Sequence, residues 1–281
     1  MPNPSVRAAI DFGISNTDAI AQVNGEWRRW TQPYDGDPDP DDVHRILAKG
    51  EVDLGLLSQL AVTGGRHKLL PSTIDHCEIV SVNEVQAIGR GGRALAQLPD
   101  NQKRKPVLVI SAGSGTAIIA ARAKTVQHVS GTAVGGGTML GLGRLLLGTV
   151  DPLEIQQLAE QGDPNGVDLS LADVITGPIG SLPANATAVN FGRLARSVTQ
   201  ASRQDIAAGI INLVGQTIGL IAVNAAHAQR IEHIVVIGHL IDMSGIRRVL
   251  ESVGIYYATK MYLPEHAGFG TALGALLSLE K

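Results

Sequence analysis

From residue 6 to about residue 30, apolar and polar side chains alternate with the period of half-buried antiparallel strands. Asn24-Gly25 supplies the pair that a two-residue hairpin turn prefers. Residues 35–42, DGDPDPDD, lack the glycine and terminal glutamate of a calcium-binding EF-hand loop and read as a solvated lead into a helix over 41–50. Short apolar runs predict strands at 60–64 and 78–82, followed by a helix over 84–98. The polar, proline-bounded stretch 99–106 reads as a crossing between lobes. Strands are expected next at 107–111, 117–121 and around 126–129, then a packed helix over 137–147. Asp151 predicts an N-cap for a helix over 152–161, with Pro152 just inside it. Residues 163–173 read as a loop and short helix, and the glycine-, proline- and alanine-rich stretch 177–190 as a mobile lid or substrate-side loop. The longest helical pattern, 204–229, is apolar on more than one face and belongs in the core or at a subunit contact. A strand at 234–237, a helix over 243–253, a last strand starting at Tyr256-Tyr257 and a small-residue helix over 267–279 complete an α/β pattern.

Composition narrows the function. The 281 residues are 44% hydrophobic and 17% charged, the balance of a globular chain with a substantial core. A net charge of −3, with Lys103-Arg104-Lys105 the one short basic run, argues against nucleic acid, and 3% aromatics provide no platform for stacking bases. The stretch MPNPSVRAAIDF has no signal-peptide apolar core. Residues 210–226 are apolar but carry Asn212, Gln216, Thr217 and Asn224, as a buried helix does and a membrane span does not. The sole cysteine, Cys77, can form neither an intramolecular disulfide nor a CxxC metal site, so a reducing cytoplasm is expected.

Three loops carry the chemistry. Ser111-Ala112-Gly113-Ser114-Gly115-Thr116 follows an apolar strand, and Gly135-Gly136-Gly137-Thr138 opens a helix. Glycine backbone can approach a ligand closely, and a helix N-terminus offers free N–H donors, so both loops suit phosphate. The third, Asp11-Phe12-Gly13-Ile14-Ser15-Asn16-Thr17-Asp18, has the order strand, carboxylate, turn, strand, which suits a hairpin around a metal–phosphate group with Asp11 holding Mg²⁺. There is no Walker A motif and no dinucleotide-binding GxGxxG in its βαβ context.

In order along the chain, the Asp11 hairpin, Thr63-Gly64-Gly65, AGSGTAI, SGTAVGGGTMLGLGRLL, NFGRL (residues 190–194) and GFGTALGAL (residues 268–276) resemble the type II pantothenate kinases. These belong to the actin–hexokinase–Hsp70-like superfamily, and the resemblance covers nearly the full length. It implies a two-lobed actin/hexokinase-like (ribonuclease H-like) fold with an interlobe nucleotide cleft, divided into residues 1–104 and 105–281. It implies ATP and Mg²⁺ as cofactors, transfer to the primary hydroxyl of pantothenate in coenzyme A biosynthesis, a homodimer, and no nucleic-acid or membrane partner. Glu84, between a strand end and a helix start, is the expected general base. Gly13, Ser15 and Asn16 in the hairpin, Gly113, Ser114, Gly115 and Thr116, and the N–H groups of Gly135, Gly136 and Gly137 are the expected phosphate ligands, with Gly238 and Gly268 on the adenosine side. His128 and Thr132 are expected on the substrate side.

The chain departs from the family at three positions. Asp18 stands where a lysine is usual, Ala117 where a serine is frequent, and His128 where an arginine contacts the pantothenate carboxylate. An imidazole cannot make the bidentate fork of a guanidinium. Arg90, Arg93 and Arg193 are candidates to compensate. Two other readings stay open: a kinase for another hydroxylated small molecule, and a nucleotide- or coenzyme A-binding regulator without transfer chemistry. Ser15-Asn16-Thr17-Asp18-Ala19 echoes the ATP-dependent hydantoinases and oxoprolinases, which are much longer. The radical-dehydratase activators are excluded because each subunit supplies two cysteines to a shared cluster.

Overall fold

The computed structural model describes residues 6–33, 36–177, 180, 182–196 and 200–280. β1 (Val6–Phe12), β2 (Asn16–Val23) and β3 (Glu26–Pro33) form an antiparallel meander. Both Asn24 and Gly25 take the positive φ their hairpin turn demands. α1 (Pro40–Lys49) starts from Asp39, whose carboxylate accepts from the Asp42 N–H at 2.8 Å. The expected helix start at 41 was late because Asp39, rather than a later aspartate, caps it; residue 35 of the acidic loop lies outside the described residues. β4 (Gln59–Gly64), β5 (Thr73–Ile74) and β6 (Cys77–Ser81) complete a six-stranded sheet of order β3-β2-β1-β4-β6-β5, with β4 and β6 parallel to β1.

α2 (Glu84–Leu95) leads to a second sheet built to the same plan. β7 (Val107–Ala112), β8 (Thr116–Ala121) and β9 (Val126–Thr132) form another meander. α3 (Gly136–Leu147) and α4 (Pro152–Ala159) follow, α4 capped by Asp151 as expected. β10 (Leu169–Ser170), α5 (Leu171–Val174) and β11 (Thr187–Val189) lie ahead of the long α6 (Arg203–Gln229). β12 (His233–Ile237) then returns parallel to β7, α7 (Ser244–Tyr256) packs on α6, β13 (Met261–Tyr262) joins the edge, and α8 (Gly270–Leu276) closes the chain. The order β13-β12-β7-β8-β9 mirrors β6-β4-β1-β2-β3, so the two lobes share one topology.

α2 lies between the two sheets. Its Ala87 belongs to a core with Ala9, Ala61 and Val82, while the next residue, Ile88, packs with Val107, Val109, Ile119 and Ile237 of the other sheet. α8 crosses back onto the first sheet, adding Ala272, Ala275 and Leu276 to the Ala9 cluster. The two sheets lie on either side of residue 104 in the chain, and α8, from the far end, packs on the first of them. The reason lies in the glycines: a Cβ on Gly91 would stand 1.7 Å from the Gly270 carbonyl oxygen, and one on Gly274 1.8 Å from that of Ala87. Only glycine lets these backbones approach so closely.

One further expectation is corrected. The last strand begins at Met261, because Tyr256 still belongs to α7. The segment expected as a lid is anchored at its end, where β11 pairs with β10; its residues 178, 179 and 181 lie outside the described residues. α6 is a core helix: Ile210, Val214, Ile218 and Ala222 are fully buried, and 67% of its most apolar window is inside the molecule, although its length and composition would suit a membrane span.

Candidate active site between the two lobes

The β1–β2 register places Asp11 directly opposite Asp18, and the β1–β4 register places it beside Thr63. Gly13 makes the hairpin turn possible, since a Cβ there would stand 2.7 Å from the Asn16 carbonyl oxygen. Burial, then Asp18, then Glu84 push the Asp11 carboxyl up to about 8, with His239 opposing them. Glu84, the first residue of α2, is exposed and close enough to be felt by Asp11. The charges of Asp11 and Glu84 are therefore within electrostatic reach of each other. Thr63 Oγ1, on the strand beside Asp11, is buried without a hydrogen-bond partner.

Asp18 is buried and is held through Oδ1. It accepts from Thr31 Oγ1 at 2.5 Å and pairs with His239 Nε2 at 2.8 Å, while His239 Nδ1 pairs with Asp242 at 2.8 Å. Burial lowers the imidazole's affinity for its proton, but the hydrogen bonds and charges of Asp18 and Asp242 outweigh it and raise His239 to about 10. His239 is thus a cation fixed between carboxylates of the two lobes. Phe269 meets its ring edge-on at 5.4 Å, and Gly268 packs against it so closely that a Cβ would stand 2.2 Å from the ring. Gly268 therefore seats His239 in this structure, a role its expected place on the adenosine side did not include. Gly238, at φ +101, would bring a Cβ within 2.3 Å of the Ala112 carbonyl oxygen, so it too is where two backbones meet.

The loops from the two lobes touch. Ser15 Oγ, which is exposed, lies 2.7 Å from the half-buried Ser114 Oγ. Gly113 N–H donates to the Gly115 carbonyl at 2.9 Å, closing the second loop on itself. Thr116 Oγ1 donates to the Val134 carbonyl, and Thr132, paired across from Thr116, accepts from the Val134 N–H at 3.1 Å. The expectation that Gly135, Gly136 and Gly137 all supply free donors needs correction. Gly136 N–H donates to the Gly113 carbonyl at 2.8 Å and Gly137 N–H to that of Ser114 at 2.9 Å. A Cβ on Gly135 would stand 2.7 Å from the Ser114 carbonyl oxygen. These glycines brace the Gly113–Thr116 loop from behind, because the helix N-terminus finds loop carbonyls within reach before any ligand.

His128 is exposed on edge strand β9 opposite Ile119, one strand removed from Ala117 on β8. Of the compensating arginines, Arg93 is spent on the backbone carbonyls of Lys103, Lys105 and Ala121, and Arg193 on Asp173 and the carbonyls of Asn165 and Asp168. Arg90 is exposed. The NFGRL motif is held structurally: buried Asp168 accepts from the Phe191 N–H at 2.7 Å, Asn212 Nδ2 at 2.8 Å, Thr187 Oγ1 at 3.2 Å and Asn190 Nδ2 at 3.3 Å. A cavity of about 670 Å³ opens between α4, α6 and α7, and no residue of the phosphate loops lines it.

Sequence reasoning passed over His239, Asp242 and Thr31. The signal for His239 was its position directly after Gly238 at a strand end. Nothing local marks Thr31, which reaches the site only through strand register.

The Fumble family model matches residues 73–278. A type II pantothenate kinase of Oceanobacillus iheyensis is 31% identical over 77% of this chain and 80% of its own. One from Bacillus cereus strain G9842 is 29% identical over 80% and 83%. Among solved structures, the activator of the 2-hydroxyisocaproyl-CoA dehydratase from Clostridium difficile, with bound ADPNP, superposes with a TM-score of 0.63 at 15% identity, covering 98% of this chain and 94% of its own. A ROK family glucokinase from Streptomyces griseus, in complex with glucose and AMPPNP, gives 0.58 at 11%, covering 97% and 98%. The structural likenesses establish the two-lobed kinase-type α/β fold, and the sequence likenesses go further: this chain belongs to the Fumble family, that of the type II pantothenate kinases.

Proposed function

We propose that this chain is an ATP- and Mg²⁺-dependent kinase that phosphorylates the primary hydroxyl of pantothenate, the first step toward coenzyme A. The observation that carries this reading is the meeting of Ser15 and Ser114, one glycine-containing loop from each lobe, beside the Asp11–Glu84 carboxylates. That arrangement provides a phosphate cradle and a proton acceptor in one cleft, the parts a phosphoryl transfer requires. The hairpin of Gly13, Ser15 and Asn16 and the loop of Gly113, Ser114, Gly115 and Thr116 hold the phosphates. Glu84 takes the proton of the attacking hydroxyl as its oxygen bonds to the γ-phosphorus and ADP leaves. His128, Thr132 and Arg90 face the acceptor.

The residues fit Mg²⁺. Asp11 is a carboxyl that burial and two acidic neighbours keep from ionising easily, and Thr63 Oγ1 beside it is a buried oxygen without a partner. Mg²⁺ asks for only one or two carboxylates, with phosphate and water completing its shell. When bound, the ion neutralises phosphate charge; Asp11 and Thr63 are the groups that would hold it.

The protein acts in the cytoplasm as a homodimer. With α6 internal, one apolar surface left for a partner is Leu145 (80% exposed), Leu146, Val150 and Leu153 (66% exposed) around the end of α3 and the start of α4. A coupled ADP-release assay with MgATP and pantothenate, run beside Glu84→Gln, tests the catalytic reading. Turnover that disappears in the variant while ATP binding persists supports it. Absence of pantothenate-dependent ADP release in the wild type defeats it.

A further inference from the structure

Ser111 takes no part in the transfer scheme above. On β7, Val107, Val109 and Ser111 share one face, since side chains alternate along a strand. Val109 pairs with Ile119, and Ser111 with Ala117. Val107, Val109 and Ile119 pack with Ile88 of α2, so this is the face turned toward the first lobe. The row of Val109 and Ile119 is fully buried, whereas Ser111 and Ala117 in the next row are half-open. Among the described residues the Ser111 hydroxyl has no hydrogen-bond partner.

The repeated sheet plan ties Ser111 to the cleft. β7 holds the place of β1, and Ser111 precedes Gly113 as Asp11 precedes Gly13, so Ser111 is the second lobe's counterpart of Asp11. Asp11 likewise shares its face with Ala9, which packs with Ala87 of α2, so the two faces look toward each other across that helix. From Ser111 the row runs on through Ala117 to Gly131, which is exposed. A register shift in the β8–β9 pairing then returns His128 to the same face, where a Cβ on Gly131 would stand 3.5 Å from its Nε2. Ser111 and His128 thus stand at opposite ends of one row, about 10 Å apart by strand spacing, the length of a small acceptor molecule. Between them the floor is a methyl group and bare backbone, which leaves room for the body of such a molecule.

We infer that Ser111 is a specificity-determining residue, hydrogen-bonded to a neutral polar group of the phosphoryl-accepting substrate close to its reacting hydroxyl. The inference rests on the kinase reading and deepens it. An uncharged hydroxyl flanked by alanine and glycine matches a hydroxyl or an amide, whereas phosphate has the glycine loops at Gly13 and Gly113. With no protein partner, the Ser111 hydroxyl is free both to donate and to accept. It supplies from the neighbouring strand the hydroxyl that Ala117 lacks. For pantothenate the group it meets is the secondary hydroxyl, with the rest of the molecule lying over Ala117 and Gly131 toward His128.

The test is calorimetry of pantothenate, and of its analogue lacking the secondary hydroxyl, on wild type, Ser111→Ala and Ser111→Thr, each with Mg²⁺ and a non-hydrolysable ATP analogue. Ser111→Ala is expected to weaken pantothenate about tenfold, the usual weight of one hydrogen bond, with nucleotide affinity within about twofold. Ser111→Thr keeps the hydroxyl and is expected to restore most of the loss. The deoxy analogue is expected to bind about tenfold more weakly than pantothenate to wild type and no more weakly still to Ser111→Ala. An unchanged pantothenate Kd in Ser111→Ala overturns the inference, as does a deoxy penalty that adds to that of the variant. An equal loss of nucleotide affinity also overturns it, by moving Ser111 to the phosphate side. ADP release with pantothenate decides the kinase reading separately: binding without turnover in the wild type defeats that reading alone, and the variants still decide the role of Ser111. A wild type that binds no pantothenate overturns the inference.

Discussion

Asp11 and His239 are displaced in the same thermodynamic direction. Asp11 titrates near 8 in the folded protein against an ordinary value near 3.8, so between those limits the folded state holds more protons than the unfolded one. His239, raised from 6.5 to about 10, does likewise over a higher range. Stability therefore falls as pH rises, first through the Asp11 window from about 4 to 8, then through the His239 window from about 6.5 to 10. A melting series in EDTA is expected to show a steady decline across pH 6–10. His239→Gln removes the cation's contribution, lowering the melting temperature at pH 6 and flattening the slope above pH 7. Asp11→Asn works oppositely: it removes a carboxyl that must ionise against burial, so it is expected to melt higher than wild type at pH 8–9 while losing turnover. Wild type melting higher than Asp11→Asn at pH 9 without metal would contradict the electrostatics drawn here. Glu84→Gln is expected to lower kcat by roughly 10²–10⁴-fold, the usual weight of a general base, without weakening nucleotide binding by calorimetry.

Among the elements, the contact between α2 and α8 is the tightest packing in the molecule that no side chain mediates. Gly91→Val or Gly274→Val would force branched carbons into the backbone of the facing helix. Each is expected to lower stability by more than about 3 kcal/mol, read by urea unfolding, with Gly141→Ala on α3, where a Cβ meets nothing, as a near-neutral control. The same glycines show what was legible beforehand. Strand and helix positions followed from apolar period and caps: Asp151 announced α4, and Asn24-Gly25 announced the first hairpin. The loops of Asp11 and Ser114 were readable as glycine and hydroxyl turns at strand ends, the form expected of a phosphate loop. The use of Gly135–Gly137 was not, since their N–H groups had two possible acceptors, a ligand or the neighbouring loop, and only the folded geometry chooses. His239 and Thr31 were hidden for a related reason. Each reaches its partner across a sequence separation that register and lobe packing set, and no local pattern encodes that distance.

At the scale of the whole molecule, one sheet plan is used twice, and the cleft lies where the two copies face each other. Because β1 and β7 occupy equivalent places, the turns that follow them, at Gly13 and Gly113, come from equivalent ends of the two sheets and meet at Ser15 and Ser114. Surface left over after both lobes are packed bears on assembly. Leu145, Leu146, Val150 and Leu153 form an apolar rim around one helix junction, more than isolated exposed residues need. Leu145→Glu with Leu153→Glu is expected to convert a dimer into a monomer by light scattering, with secondary structure by circular dichroism unchanged. A wild type that is already monomeric at micromolar concentration would remove that surface from consideration.

The return of α8 to the first sheet also sets an order of events during synthesis. Val6 to Ser81 leave the ribosome early and can pair as strands, but the sheet face carrying Ala9, Ile20, Ala61 and Val82 has no permanent cover until residues 270–276 have been made. Over some two hundred residues of translation the nascent N-terminal lobe therefore presents an unfinished apolar face, shielded only by α2. A ribosome stalled before α8 would hold a chain that has its hairpin, Asp11 and both glycine loops yet leaves that face open. Completion of the first lobe is, for this topology, a property of α8.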